Sequence, residues 1–292
     1  MKNEARTISR VKTPIFLIHF LFACLLALMS QNALALGQLM VSPTRIVFEG
    51  NERTKQVTLI NNGSETGRFR ISFVRRNMNA DGKIIATEDN EPGMYSDEMV
   101  RFSPRQVTLA PGQSQTVRLI LRKKRDIADG EYRSHMMFQS LPDAAASDIS
   151  TLSSGKDEKV TVQLIPVVGI TIPVIVRHGS LSTKVTLSDF ELKQSNTVKG
   201  QPVLSLKINR DGNRSAYGDF RVYFTPKGGT PVIVGQINGV AIYTSTSSRG
   251  LDLNLQTPGD FSLSNGELHI TYLESGKDAD TGLIAESRLA VP

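Results

Sequence analysis

The chain has 292 residues, a formal charge of +6, one cysteine and no tryptophan. One cysteine excludes an internal disulfide, and 6% aromatic content without tryptophan argues against a platform that stacks bases or sugars. About half of the positive charge sits in the first residues, so the high charge is not a nucleic-acid signature.

Residues 1–35 read as an export signal. Lys2, Arg6, Arg10 and Lys12 form a basic head, Pro14 to Met29 an apolar run, and Ala33-Leu34-Ala35 a small-residue cleavage site. The mature chain then begins near Leu36, with room for two domains. Cys24 lies in the apolar run and leaves with it; lipidation at Cys24 is the alternative, opposed by the bulky Phe22 beside it. No later run approaches the 18 apolar residues of a membrane span, so the expectation is a soluble exported protein with no stable membrane insertion.

From Leu36 onward, alternating apolar and polar residues recur between Gly, Pro, Asn and Asp. Strands are predicted over Gln38 to Phe48, Thr54 to Ile60, Arg68 to Arg75, Met99 to Phe102, Gln115 to Leu121 and Tyr132 to Leu141. Asn61-Asn62-Gly63, Asp81-Gly82, Pro111-Gly112 and Asp129-Gly130 supply the turns. Residues 143–158 are small and polar and read as a mobile loop.

Lys159 to His178 follows, with Val160, Val162, Leu164, Val168, Ile170, Ile172, Val174 and Val176 on one face of an extended strand. At ~3.3 Å per residue it would run roughly 60 Å, more than one ordinary strand needs. Pro166 and Pro173 each lack a ladder donor and place part of it at a sheet edge. Two readings stay open: a partner's strand docks on that edge, or the segment is a core strand that bends into a second domain.

Beyond Gly179 a second series is predicted: Ser182 to Leu192, Val203 to Ile208, Gly218 to Thr225, Val232 to Ile237, Ala241 to Thr246, Gly250 to Leu255, Glu267 to Leu273 and Gly282 to Val291. No long helical period occurs. The fold class is therefore all-β: two immunoglobulin-like sandwiches, over residues 36–179 and 180–292.

Several motifs in the first half resemble one family. Ser42-Pro43-Thr44-Arg45-Ile46-Val47-Phe48, Thr58-Leu59-Ile60-Asn61-Asn62, Arg101-Phe102-Ser103-Pro104, Leu109-Ala110-Pro111-Gly112-Gln113 and Gly130-Glu131-Tyr132-Arg133 resemble, in that order, the PapD-like periplasmic pilus chaperones of the chaperone–usher pathway. The second half matches only in length and pattern. The resemblance implies two domains around a cleft, and partners that are fimbrial subunits and an outer-membrane usher. It also implies a donor strand that completes the subunit's sandwich, carried here by Val160, Val162, Leu164, Val168 and Ile170. Arg45 matches a cation that anchors the subunit's terminal carboxylate. The family's second anchor, a lysine on the long strand, has no counterpart, because Gly169 to Val176 holds no basic residue. Glu131 and Arg177 match an ion pair that orients the domains, with Asp278 or Asp280, here assigned as Asp280, expected as the partner from a late loop. A self-capping homodimer of the free protein is a further possibility.

No enzyme is expected. His135, His178 and His269 have no metal-ligand spacing, and neither a nucleophile elbow nor a phosphate loop occurs, so neither cofactor nor metal is assigned. Arg122-Lys123-Lys124-Arg125 reads as a solvated turn or a contact with an acidic surface. The rival function is an immunoglobulin-like structural or adhesive surface protein that is itself assembled into a fibre.

Overall fold

The computed structural model describes residues 39–87, 92–142, 167–195, 198, 200–256 and 263–292. The chain is all-β, as the alternation predicts, with one four-residue helix among the described residues. The first domain carries β1 (Leu39–Ser42), β2 (Ile46–Phe48), β3 (Thr54–Asn61), β4 (Gly67–Val74), β5 (Arg76–Met78), β6 (Ile84–Ala86), β7 (Val100–Ser103), β8 (Gln106–Leu109), β9 (Ser114–Leu121), β10 (Gly130–Leu141) and β11 (Gly169–His178). The second carries β12 (Thr183–Gln194), β13 (Pro202–Gly212), β14 (Ala216–Pro226), β15 (Val232–Ile242), β16 (Ser248–Asn254), β17 (Gly266–Glu274), α1 (Ala279–Gly282) and β18 (Leu283–Val291).

Each domain packs two sheets face to face. In the first the orders are β1-β3-β9-β7 and β2-β11-β10-β4-β8; in the second, β12-β13-β16 and β15-β14-β17-β18. The alternation explains the layering. In β9, Val117, Leu119 and Leu121 point into the core while Thr116, Arg118 and Ile120 face outward. Val57 and Leu59 of β3 meet them across one sheet, and Met136, Phe138, Val174 and Val176 close the core from the other.

Two turn motifs of the sequence meet at one buried side chain. The Asn61 amide donates to the carbonyls of Leu109 (2.8 Å) and Glu65 (2.7 Å) and accepts from Gly63 N–H (2.9 Å). Its carbonyl accepts from Gly112 N–H at 2.8 Å, with Gly112 in the left-handed region at φ +72°. A buried asparagine is tolerated there because its amide is bonded at both ends. Tyr132 locks the start of β10 by donating to the Ala128 carbonyl four residues upstream, at 2.9 Å, as in other immunoglobulin-like corners.

The predicted strand Gln38 to Phe48 is two strands. β1 pairs with β3 in one sheet and β2 runs parallel to β11 in the other, because Pro43 offers no ladder donor and the chain changes sheets there. Val232 to Ile237 and the start of Ala241 to Thr246, two separate predicted strands, belong to one strand, β15, that pairs irregularly with β14; Tyr243 to Thr246 lie beyond its end in a turn. The β5–β6 hairpin and β8 were not predicted. Val160, Val162, Leu164, Pro166, the loop 143–158 and the leader lie outside the described residues.

The unpredicted hairpin reaches the second domain. Met78 is buried in a cluster with Ile175, Ala241 and Tyr243. Met78 N–H donates to Ser245 Oγ at 3.2 Å, and Gly250 N–H donates to the Ala80 carbonyl at 2.8 Å. Gly82, at φ +76°, leaves room for the Arg249 guanidinium, which a Cβ there would meet at 2.2 Å. Met78→Ala is expected to lower stability by about 2–4 kcal/mol in urea unfolding, through lost burial and the cavity left behind. Ile85→Ala, on the exposed side of the same hairpin, should change it by less than about 0.5 kcal/mol. Equal effects of the two would mean that the hairpin does not hold the domains.

Candidate functional site

β11 is bonded to β10 along its whole length, from Gly130↔His178 to Gln139↔Gly169. Its other edge is paired only through Val174, Ile175 and Val176, which match Ile46, Val47 and Phe48 of β2. From Gly169 to Pro173 that edge has no strand partner among the described residues. Along the same stretch the core-facing side chains come progressively into the open. Val174 and Ile172 are buried, Ile170 is half-buried against the first-domain core, and Val168 is 51% exposed. Val168 is held only through its backbone, by Ser140 Oγ and Ser140 N–H. Leu39, Phe69, Phe138, Val168 and Ile170 line an apolar groove of about 210 Å³ beside it.

Arg45 stands where β2 begins. By the register of β2 it lies opposite Pro173, at the point where the free edge ends. Its guanidinium is 4.4 Å from the Tyr217 ring centroid and 5.6 Å from that of Tyr243, and its Nη1 donates to the Tyr243 hydroxyl at 3.2 Å. Both tyrosines come from the second domain. Such contacts orient a cation without neutralising it, and among the described residues no carboxylate pairs with Arg45. It opens on an interdomain cleft of about 560 Å³ shared with Glu49, Arg177, Lys184, Arg214 and Glu274.

Glu131 and Arg177 are brought together. Arg177 Nε donates to Glu131 Oε2 at 3.1 Å, and Glu131 has no side-chain exposure. The same carboxylate oxygen accepts from Ser215 N–H of the second domain at 3.3 Å, and Arg177 Nη1 also pairs with Glu49. Burial first, then the neighbouring Arg214 and Arg45 charges, push the Arg177 guanidinium down to about 10, with Glu274 opposing. Arg177 thus stays charged at neutral pH. Asp280 is placed elsewhere. It is exposed in the first turn of α1, while Asp278 caps that helix by accepting from Thr281 N–H and Oγ1 at 3.1 and 2.7 Å. The second-domain carboxylate that faces Arg177 is Glu274. Within the basic run, Lys123 Nζ donates to the Arg177 carbonyl at 2.9 Å and Lys124 pairs with Glu98.

Sequence reasoning missed Arg133, His135, Tyr217, Tyr243 and Arg214. Arg133 lies 3.8 Å from the Tyr243 centroid, so this ring faces a cation from each of two strands. Burial lowers the Arg133 guanidinium pKa. The available signal was the pattern of β10, where Glu131, Arg133 and His135 alternate with core residues and yet are all buried. A charged alternate face is normally solvated, so only the second domain and the β5–β6 hairpin reveal that it is covered.

Among the described residues no group of three or more His, Cys, Asp or Glu is arranged to hold a metal, and no helix is long and apolar enough to cross a membrane. No family model matches the sequence, and no curated protein does. Among solved structures, the chain is similar to the YadV chaperone (12% identity, 86% of this chain and 98% of that one, TM-score 0.41). It is similar to the CupB2 chaperone of Pseudomonas aeruginosa (12%, 86% and 98%, TM-score 0.39) and to the Escherichia coli chaperone DraB (13%, 87% and 97%, TM-score 0.39). Identities and scores this low assign no function.

His135 generates a pH prediction. Burial, then the charges of Arg133 and Arg76, lower its imidazole from the usual 6.5 to about 3. Below pH 6.5 the unfolded chain takes up a proton that the folded chain refuses, so stability falls as pH falls, down to about pH 3. The full slope is about 1.4 kcal/mol per pH unit, or roughly 2 kcal/mol lost by pH 5. Urea unfolding from pH 7 to 4 should show this slope in wild type in excess of His135→Gln. Parallel curves would mean that the imidazole is protonated in the folded state.

Proposed function

We propose that this protein is a periplasmic chaperone, not an enzyme, that holds fimbrial subunits by lending them a strand and passes them to an outer-membrane usher. The observation that carries the reading is the free edge of β11 ending at Arg45. The slot beside Gly169 to Pro173 is the backward continuation of β2. A partner strand lying in it parallel to β11, as β2 does, arrives with its last residue at an unneutralised guanidinium. Arginine suits that end because its planar fork can donate to both carboxylate oxygens.

The order of motifs along the first domain supports the same reading. In it, Val160, Val162, Leu164, Val168 and Ile170 supply the side chains that fill the subunit's open core. Each fully buried aliphatic side chain is worth ~1.5–3 kcal/mol, and the edge hydrogen bonds set the register. Glu131 and Arg177 keep the two domains at the angle that leaves the cleft open.

Exposure makes the test clean at Val168. A charge there meets water in the free protein, so Val168→Asp should leave its own stability within about 0.5 kcal/mol. In periplasmic co-expression it should nevertheless reduce recovery of soluble one-to-one complex with a fimbrial subunit by tenfold or more, and Val162→Asp with Leu164→Asp should do the same. Undiminished capture by these variants would remove the donor-strand assignment. Arg45→Ala should keep the fold by circular dichroism and lose capture; retained capture would remove the anchor.

A further inference from the structure

The turn between β13 and β14 is pinned against the first domain and the linker. Asn213 and Arg214 N–H groups donate to the Ser182 carbonyl at 3.0 and 3.2 Å. Ser182 N–H donates to Asn213 Oδ1 at 2.9 Å, and Asn213 Nδ2 donates to the Ser180 carbonyl at 2.9 Å. Glu131 N–H donates to the Asn213 carbonyl at 3.1 Å, and the Glu131 carboxylate accepts from Ser215 N–H. The backbone of this turn therefore has no freedom to drift.

Its side chains are less well served. Arg214 Nε and Ser215 Oγ are both buried and make no hydrogen bond among the described residues, and Ser215 is only 2% exposed. Buried donors left unbonded are costly, and a rigid pair of them lining a cleft marks a place for an acceptor. Arg214 reaches Glu274 only at 3.9 Å, while Lys277 holds that carboxylate at 2.8 Å. Arg177 is already engaged by Glu131 and Glu49. Among the described residues, Arg45 and Arg214 are thus the two guanidinium groups lining this cleft with no carboxylate nearer than 3.9 Å.

We infer that Arg214 and Ser215, supplied by the second domain, complete with Arg45 a two-domain site for the carboxylate at the end of a bound strand. The inference rests on the chaperone reading and names what stands in for a cation absent from Gly169 to Val176 of β11. The ligand chemistry is that of a monoanionic carboxylate. Two forks and a hydroxyl match its two oxygens, and Glu49 and Glu274 beside them disfavour a more highly charged group. Lys184 lines the same cleft, but it is exposed and strongly hydrated, and no side-chain bond holds its ammonium among the described residues.

The test uses the full mature chain and fluorescence anisotropy at low ionic strength. The probes are three short peptides of alternating valine and serine: one with a free terminal carboxylate, one amidated, and one amidated after a final aspartate. Wild type should bind the free carboxylate about tenfold or more tightly than the amide. Arg214→Gln and Ser215→Ala should each lose most of that preference with the amide affinity unchanged, Arg214→Lys should regain part of it, and Lys184→Gln should keep all of it. Ser215→Ala should unfold no earlier than wild type, since its hydroxyl makes no bond to lose. Full preference retained in Arg214→Gln overturns the inference while leaving the chaperone reading intact. Equal affinity of wild type for acid and amide removes the carboxylate anchor itself. Binding of the aspartate peptide as tightly as the free acid overturns the assignment to a chain terminus.

Discussion

One buried carboxylate lies at the junction of the two domains and bonds to both. Glu131 sits without side-chain exposure where β10, the end of β11 and the β13–β14 turn converge. A carboxylate in such a place must be paired and hydrogen-bonded, because removing either partner of a buried ion pair costs about 3–5 kcal/mol. Arg177 supplies the charge and Ser215 N–H a second donor, both to Oε2, while Oε1 is buried without a partner among the described residues. The pair lies within the first domain, between neighbours in the β10–β11 register, and adds little to net stability compared with apolar side chains of the same shape; the bonds of Glu131 that reach the second domain go to Ser215 N–H and the Asn213 carbonyl.

A layer of stacked cations and rings extends from that point. Tyr243 lies against Arg133 on one strand and Arg45 at the head of another, and Met78 and Ile175 pack beside it. None of these contacts neutralises Arg45. The chain thus keeps a fixed, charged guanidinium at the mouth of a cleft and, next to it, a strand edge that β2 leaves unpaired when it turns away toward β1. An unpaired apolar edge is a hazard in most proteins. Among the described residues it covers Gly169 to Pro173 of β11, bounded by the parallel pairing with β2 on one side.

Much of this was legible in the sequence because alternation reports burial directly wherever one face of a strand meets water. β3, β9 and β17 follow the predicted spans closely, and the Asn61 and Pro111-Gly112 motifs mark two turns that meet. The failures have a common physical cause. The β5–β6 hairpin has exposed Ile84 and Ile85 and a three-residue pairing, so nothing local identifies it; its stability comes from the second domain. Arg133 and His135 look like a solvated face until the second domain covers them. Asp280 was chosen by its position in a late loop, but that loop folds into a capped helical turn, and Glu274 at the preceding strand end faces Arg177 instead. Contacts between domains leave little periodic trace in either partner's sequence.

The division of the cleft between two domains carries a thermodynamic consequence. A second cation within Gly169 to Val176 of β11 would make, with Arg45, a carboxylate site belonging wholly to the first domain, indifferent to where the second one lies. Arg45 is instead oriented by Tyr217 and Tyr243, and the unbonded donors of Arg214 and Ser215 stand on the turn that also grips Glu131. A ligand touching both sides binds only while the interdomain angle is kept. By linkage, binding strengthens that angle by the same free energy by which the angle strengthens binding. Loss of the Glu131 bonds to Ser215 and Asn213 would then weaken a ligand that Glu131 does not touch.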